Sequence, residues 1–207
     1  MVGLLGAMGE HRHRPVVLVV DDEPALVELY AANLDEEYDV KTAYGGEEAV
    51  SRIDEGDGID VALIDRRMPD ISGDEVLDHL DEVSPSCRVA MVTAVEPDFD
   101  VIDMPFDEYL VKPISRDDLL GTVERLLTLE SYREQRQEAY ALASKVAALR
   151  AHKDPEELED NEEYQGLTER LETIREQLDE TAQSFEASDF AAAFGDIRGD
   201  VPATTSD

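Results

Sequence analysis

The stretch over residues 59–73, IDVALIDRRMPDISG, constrains the fold more than any other part of the chain. Its apolar run, 61–64, is short, rich in branched aliphatic residues and bounded by turn-forming residues, which predicts a buried β-strand. The run ends at a single carboxylate, Asp65, and a loop containing Met and Pro follows. Ligands and reactive groups collect at the carboxyl ends of strands in parallel sheets. Asp65 is therefore a candidate reactive group, and the alternative is that it only caps the following turn.

Three further apolar runs end in polar residues in the same way. Residues 16–20 lead into Asp21-Asp22, residues 89–92 into Thr93-Ala94, and residues 109–111 into Lys112-Pro113. Segments of helical periodicity lie between the runs, and strands that alternate with helices predict a parallel sheet covered on both faces. Carboxylates, a hydroxyl and an ammonium group at strand ends are the groups that a magnesium-dependent phosphoryl site requires.

Residues 15–128 resemble the receiver domain of two-component response regulators. The matching motifs, in chain order, are Asp21-Asp22, Asp65-x-x-Met68-Pro69-x-x-Ser72-Gly73, Thr93-Ala94 and Tyr109-x-x-Lys112-Pro113. The resemblance implies an α/β fold, namely a flavodoxin-like, doubly wound, five-stranded parallel sheet in the order 2-1-3-4-5. The site of such a fold lies where the strand order reverses, between the first and third strands.

The resemblance also implies a role for each of these side chains. Asp65 would be the phosphoacceptor for a sensor histidine kinase. A Mg²⁺ ion would be held by Asp21, Asp22, Asp65 and the backbone carbonyl of Arg67. Thr93, Ala94 and Lys112 would bind the phosphoryl group, and Tyr109 would act as a switch by moving between exposed and buried rotamers. The chain would not be an enzyme beyond magnesium-dependent self-phosphorylation and autodephosphorylation.

The segment between Thr93 and Lys112 departs from the receiver pattern. Receivers usually carry a full amphipathic fourth helix there, on the face used for dimerisation and signalling. Here the segment is short and is interrupted by Pro97 and Pro105, and proline breaks a helix interior. We expect at most one or two irregular turns, and therefore a signalling face that differs from the usual one.

The C-terminal part of the chain predicts two helices. The first begins after Ser115 and meets no stop signal before residues 152–155, so we expect it to run far beyond the receiver. The second begins near Pro155 or Asn161 and carries a heptad seam, with spacings that alternate between three and four. The seam consists of Tyr164, Leu167, Leu171, Ile174, Leu178, Thr181 and Phe185. This pattern predicts a helical hairpin, or a coiled coil formed with a second copy or with a partner helix.

Residues 129–187 resemble the HalX segment of haloarchaeal response regulators in size, acidity and heptad pattern. The segments on either side of the two domains lack such patterns. We therefore expect residues 1–14 to be a disordered N-terminal tail and residues 188–207 to be a flexible acidic tail.

Acidic residues dominate the composition, with 51 Asp and Glu against 18 Lys and Arg and a formal charge of −33. The hydrophobic fraction of 42% can build a core, so the charge must cover the surface. Concentrated salt screens the self-repulsion of such a surface, which indicates a halophile's cytoplasmic protein or an acidic interaction protein of an ordinary cytoplasm. The acidity argues against DNA binding. Since no run approaches the ~18–20 apolar residues of a transmembrane helix, we expect a cytoplasmic protein with no membrane partner.

Four functions remain open from the sequence. The leading one is a response regulator that accepts a phosphoryl group on Asp65 and signals through protein–protein contacts. The second is a phosphatase or mutase, although the haloacid dehalogenase type needs a second Asp where this chain has Arg67. The third is a phosphorylation-independent scaffold, which would be expected to lose an acidic-pair residue or the lysine. The fourth is a transcriptional regulator that acts through the C-terminal helical domain, which would need exposed basic and amide residues there.

Overall fold

A computed structural model describes residues 14–56 and 58–184 of the 207-residue chain. Apart from Arg14, the predicted tails lie outside the described residues, and so does the seam position Phe185. The chain forms two compact units, one ending at Leu120 and the other beginning at Gly121.

The first unit contains a five-stranded parallel sheet. Its strands are β1 (Val16–Val20), β2 (Asp39–Ala43), β3 (Val61–Ile64), β4 (Arg88–Thr93) and β5 (Glu108–Val111). They lie in the order β2-β1-β3-β4-β5, and every neighbouring pair is parallel. The predicted fold class and strand order are therefore confirmed. Every residue of β1, β3 and β4 is buried, whereas the edge strand β2 buries only its last residue.

The register of the sheet brings the ends of the central strands together. Val20 at the end of β1 pairs with Ile64 at the end of β3, and Ile64 also pairs with Met91 of β4. Asp21 and Asp65 follow Val20 and Ile64 directly. The pairing therefore places these two carboxylates side by side at the carboxyl edge of the sheet.

Three helices join the strands of the first unit, namely α1 (Pro24–Leu34), α2 (Gly46–Asp54) and α3 (Gly73–Val83). Pro24 occupies the first turn of α1, where its missing N–H leaves no hydrogen bond unmade. Helix α1 buries Val27, Tyr30 and Leu34. Leu26, which the apolar pattern also predicts to face inward, is only partly covered.

A single 3-10 turn, Phe99–Val101, is the helical structure between β4 and β5, a connection that the structure describes throughout. Asp98 caps the turn, because its carboxylate accepts a hydrogen bond of 2.7 Å from the N–H of Phe99. Pro97 and Pro105 flank the turn, and neither has an N–H to donate to a helix. The prediction of at most one or two irregular turns is confirmed.

The second unit is a helical hairpin. Helix α4 (Arg116–His152) runs without a break into this unit, and it is followed by the short α5 (Pro155–Glu159) and by α6 (Glu162–Ser184). Ala139 and Val146 of α4 form one buried cluster with Leu171 and Ile174 of α6. Three further seam residues pack against this cluster and are partly buried: Tyr164, Leu167 and Leu178. The hairpin therefore packs on itself within one chain.

Polar contacts also join α4 to α6. Arg170 donates to both carboxylate oxygens of Glu138, at 3.0 and 3.2 Å, and Arg150 donates to the hydroxyl oxygen of Tyr164 at 2.7 Å. The contacts lie on the exposed rim of the seam, where such pairs add little free energy of folding. Among the described helices, none combines the length and the apolar composition of a membrane span.

Candidate functional site

Three carboxylates meet at the carboxyl edge of the sheet. Asp21 and Asp22 follow β1, Asp65 follows β3, and one oxygen of each lies within 4.8 Å of the others. Asp21 and Asp65 are 2% and 6% exposed, whereas Asp22 is open to solvent. Carboxylates this close repel one another, so the cluster favours a cation. Oxygen ligands that open to solvent on one side fit Mg²⁺, which keeps several of its waters when bound to protein.

Lys112 supplies a fixed cation to this acidic cluster. It follows β5, and its Nζ donates to Asp21 Oδ2 at 2.6 Å and to Asp65 Oδ1 at 3.0 Å. Burial acts to lower the pKa of Lys112, but the hydrogen bonds to the two carboxylates outweigh burial and raise the pKa above its ordinary value. Lys112 is therefore held in its charged form between two buried carboxylates.

Each carboxylate oxygen of Asp65 has a donor. Lys112 holds Oδ1, and the backbone N–H of Arg67 donates to Oδ2 at 3.1 Å. These contacts fix the plane of the carboxylate, and each oxygen keeps a lone pair for a cation or an electrophile. The Arg67 carbonyl, which the resemblance gives to Mg²⁺, stays a prediction.

The loop between β3 and α3 winds tightly around Asp65. Met68 is buried in the core of the first unit, and Asp70 adopts a left-handed φ of 65°. The N–H of Gly73 donates to the carbonyl of Arg66 at 2.9 Å. This hydrogen bond brings the first residue of α3 back to the end of β3. The Asp65 carboxylate therefore lies at the base of a loop whose two ends are joined.

Thr93 lies at the end of β4, where its carbonyl accepts a hydrogen bond of 2.8 Å from the N–H of Lys112. Its side chain is buried, and Oγ1 accepts a hydrogen bond of 3.3 Å from the N–H of Val95. A hydroxyl can accept one hydrogen bond and still donate another. Ala94 is exposed beside it. Thr93 therefore contacts the backbone of Lys112 through its carbonyl and the loop at Val95 through its hydroxyl.

The Tyr109 side chain holds the same loop from the other side. Its hydroxyl donates to the carbonyl of Val95 at 2.9 Å, and its ring packs against Phe106 with centroids 5.5 Å apart. Val95 is therefore held through its N–H by Thr93 and through its carbonyl by Tyr109. The Tyr109 side chain is partly buried, and its movement between exposed and buried rotamers stays a prediction.

Arg66 makes contacts that the sequence does not reveal. Its guanidinium donates to Asp74 at 3.0 Å and to Asp100 at 2.6 Å. Hydrogen bonds to Asp74 and then Asp100 raise the pKa of Arg66, burial lowers it, and a hydrogen bond with Tyr109 adds to the increase. Asp74 and Asp100 lie 8 and 34 positions away along the chain. No motif spacing could have signalled this cluster, and the sequence shows only a short basic pair, Arg66-Arg67.

Family models match both parts of the chain. The response regulator receiver domain matches residues 17–124, and the HalX domain matches residues 128–194. A protein of Haloferax volcanii, provisionally named a transcriptional regulator, is 47% identical over 173 residues, which are 83% of this chain and 29% of that protein. The transcriptional regulatory protein TrcR of Mycobacterium tuberculosis is 34% identical over 123 residues, which are 58% of this chain and 48% of TrcR. This chain thus spans less than half the length of these two relatives.

Solved receiver structures resemble about half of the chain. A CheY-like receiver domain protein from Methanospirillum hungatei has a TM-score of 0.53 at 27% identity, and the match covers 56% of this chain and 96% of that one. The response regulator DrrB of Thermotoga maritima has a TM-score of 0.51 at 28% identity, with 56% and 54% covered. The haloarchaeal relative supports the halophilic interpretation of the acidic surface. The chain belongs to the response regulator receiver family, and a HalX domain follows its receiver domain.

Proposed function

We propose that this response regulator works in a two-component phosphorelay, in which Asp65 accepts a phosphoryl group from a sensor histidine kinase. Membership of the receiver family supports this class of function. The observation that favours Asp65 as the acceptor is the contact of Lys112 with both Asp21 and Asp65. A phosphoryl group on Asp65 needs a cation within reach, and Lys112 supplies one. The output is protein–protein contact in the cytoplasm.

The reaction brings together two anions, a carboxylate and a phosphoryl group. An oxygen of Asp65 attacks the phosphorus of the donor's phosphohistidine. The new P–O bond forms as the P–N bond breaks, and the bonding electron pair stays on the imidazole nitrogen of the donor. Lys112 neutralises charge on the incoming group, while the N–H of Arg67 holds the second carboxylate oxygen in place. Phosphoryl transfer depends largely on such positioning and charge stabilisation.

Four groups are suited to hold magnesium, namely the side chains of Asp21, Asp22 and Asp65 and the carbonyl of Arg67. When bound, Mg²⁺ neutralises negative charge on its oxygen ligands and on phosphoryl oxygens. Asp21 and Asp65 present buried oxygens, and Asp22 presents an exposed one. A phosphodonor can therefore approach from the side of Asp22.

Thr93 and Tyr109 form the switch. The Thr93 hydroxyl donates to a phosphoryl oxygen on Asp65, and its movement toward that oxygen draws in Val95, whose N–H donates to this hydroxyl. Ala94 turns inward with it and offers its own N–H to the same group. Movement of Val95 also changes the acceptor of the Tyr109 hydroxyl. The phosphoryl group thereby favours one arrangement of the loop over the other, which is a population shift.

Control of transcription is the second candidate function, because two relatives carry names of that kind. Helix α6 has seven acidic and two basic side chains over residues 162–184, which disfavours contact with a phosphate backbone. We therefore propose that any effect on transcription passes through a protein partner that binds the HalX domain, or through a second copy.

Intact-mass measurement after incubation with acetyl phosphate and Mg²⁺ in concentrated KCl tests the phosphoacceptor. The wild-type chain should gain the mass of one phosphoryl group, and Asp65→Asn should gain none. Asp70→Asn is the matched control, because Asp70 lies exposed in the same loop and Asn tolerates its left-handed φ. Uptake by Asp65→Asn at the wild-type level would contradict the choice of residue.

A second experiment tests whether phosphorylation of Asp65 requires a kinase as the donor. If the wild type gains no mass from acetyl phosphate, a phosphorylated histidine kinase domain from the same organism should be offered as donor. Transfer to the wild type and to Asp70→Asn, but not to Asp65→Asn, would support the phosphorelay. Transfer to none of the three would favour the phosphorylation-independent scaffold.

A further inference from the structure

Arg66 connects the phosphoacceptor loop to the turn that replaces the fourth helix. It follows Asp65 directly, and its guanidinium reaches Asp74 in the first turn of α3 and Asp100 in the 3-10 turn. The Arg66 side chain is only 10% exposed, whereas Asp100 is 57% exposed. The guanidinium is therefore packed on the inner side of the turn, and its planar fork can hold two carboxylates at once.

Most of this turn is open to solvent. Its backbone hydrogen bonds are local: Val101 N–H to Asp98 at 3.1 Å, Ile102 to Phe99 at 3.4 Å and Met104 to Val101 at 3.2 Å. Phe99 and Ile102 are 85% and 71% exposed, so burial of their side chains contributes almost nothing to holding the turn. A segment with few buried apolar contacts opens locally at low cost, so the ion pair with Arg66 tethers the turn together with the partly buried Val101 and with Met104, which packs against the core.

We infer that Arg66 is a positioning residue that transmits movement of the Asp65 loop to the turn at residues 98–102, alongside the connection through Thr93. The inference rests on the proposed function of Asp65. A shift of the loop moves the Arg66 backbone, and the guanidinium carries Asp100 with it. The exposed apolar side chains of Phe99 and Ile102 belong to the same turn. Their position, and therefore their contact with a partner protein, depends on this ion pair.

Hydrogen–deuterium exchange of the unphosphorylated protein tests the tether. In Asp100→Asn and in Arg66→Gln, the amides of Val101, Ile102 and Met104 should exchange about 3- to 10-fold faster than in the wild type, which is the range expected for loss of one ion pair on a partly buried arginine. Asp100→Glu should keep most of the protection. Unchanged exchange in Asp100→Asn would overturn the tether, even if Arg66→Gln fails to fold.

Arg52→Gln is the matched control. Arg52 pairs with Glu48 one turn away on α2 at 3.6 Å, and the Arg52 side chain is 36% exposed, against 10% for Arg66. Its loss should leave exchange at residues 101–104 unchanged. Faster exchange there in Arg52→Gln would mean that any lost charge loosens the turn, which would overturn a specific role for Arg66.

The phosphorylated protein tests transmission. With acetyl phosphate and Mg²⁺, the wild type and Asp100→Asn should gain the same phosphoryl mass, but the change in exchange at residues 99–104 should be at least halved in Asp100→Asn. If phosphorylation changes exchange at residues 99–104 equally in the wild type and in Asp100→Asn, transmission through Arg66 is overturned, while the proposed role of Asp65 is unaffected. Absence of mass gain in the wild type, with acetyl phosphate and with a kinase, would instead reject the proposed function.

Discussion

The carbonyl oxygen of Asp65 fills the space that a side chain on Gly73 would need. A Cβ atom built on Gly73 lies 2.1 Å from that oxygen and 2.8 Å from the Cα of Arg66. Both neighbours are backbone atoms at the end of a buried strand, so neither can move without disturbing β3. The position of Asp65 thus requires that residue 73 have no side chain.

Gly73→Ala should therefore destabilise the receiver and displace Asp65. We expect a loss of about 1–3 kcal/mol in the free energy of unfolding, as for other overpacked sites, together with slower phosphoryl uptake. Urea denaturation and intact mass measure the two effects. Gly166→Ala is the control, because a Cβ at Gly166 meets no atom within 4 Å and alanine favours a helix interior by about 1 kcal/mol. Equal unfolding free energies for the two variants would contradict the steric argument.

Lys112→Met should destabilise the fold more than removal of any exposed lysine. The change leaves Asp21 and Asp65 buried without their cation, and breaking a buried ion pair costs about 3–5 kcal/mol. Added Mg²⁺ should recover part of the loss, because it can neutralise the same carboxylates. Thermal unfolding with and without Mg²⁺ measures both. Lys145→Met, at an exposed position on α4, should change the unfolding free energy by less than about 0.5 kcal/mol.

Acid should weaken the start of α3 through Glu75. Ser72 and Glu75 form a capping box, in which the Glu75 carboxylate accepts from the backbone N–H of Ser72 at 2.9 Å and from its hydroxyl at 2.8 Å. These bonds, the backbone one first, lower the pKa of Glu75 below its ordinary value. The stabilisation is therefore present above the unfolded pKa of about 4.3 and is lost as pH falls through the lower folded pKa.

An NMR titration of the Glu75 carboxyl group measures this directly. Ser72→Ala removes the hydroxyl but keeps the backbone N–H, so the pKa of Glu75 should rise only part of the way to its ordinary value. The same change should lower the unfolding free energy by about 1 kcal/mol through loss of the N-cap. A Glu75 pKa that is identical in the wild type and in Ser72→Ala would show that the hydroxyl does not contribute.

Ile174→Ala should unfold the HalX hairpin more readily than any change on its outer face. Ile174 is fully buried in the seam between α4 and α6, and truncation of such a residue costs about 2–5 kcal/mol. Tyr140→Ala is the control, because Tyr140 is 79% exposed on α4 and should cost less than about 0.5 kcal/mol. Urea denaturation, monitored by the loss of the helical circular-dichroism signal, measures the stability of both variants. Similar midpoints would mean that the seam does not hold the hairpin.

Local pattern was sufficient to predict most of the first unit. The apolar run before Asp65 has the bounds of β3, and the segment from Gly73 to Val83 has the bounds of α3, because a capping signal and a Pro-containing stop surround it. The absence of the fourth helix also followed from two prolines. These features depend on neighbouring residues, which is why sequence alone reveals them.

Contacts between distant segments could not be predicted in this way. The seam of α6 follows from a spacing of three and four, but the spacing does not say whether its partner is α4 or another chain. The tether from Arg66 to Asp100 joins residues 34 positions apart, and neither belongs to a periodic pattern. The folded sheet, in which β3 lies next to β4, brings their side chains to 2.6 Å.

The 91 positions that separate Asp21 from Lys112 have a consequence during translation. The ribosome releases all three carboxylates of the cluster before it releases the lysine that neutralises two of them. A nascent chain halted before β5 would hold mutually repelling carboxylates at an unfinished sheet edge, with no ammonium to stabilise a phosphoryl group. Under the proposed function, the receiver can therefore accept a phosphoryl group only after its last strand has been synthesised.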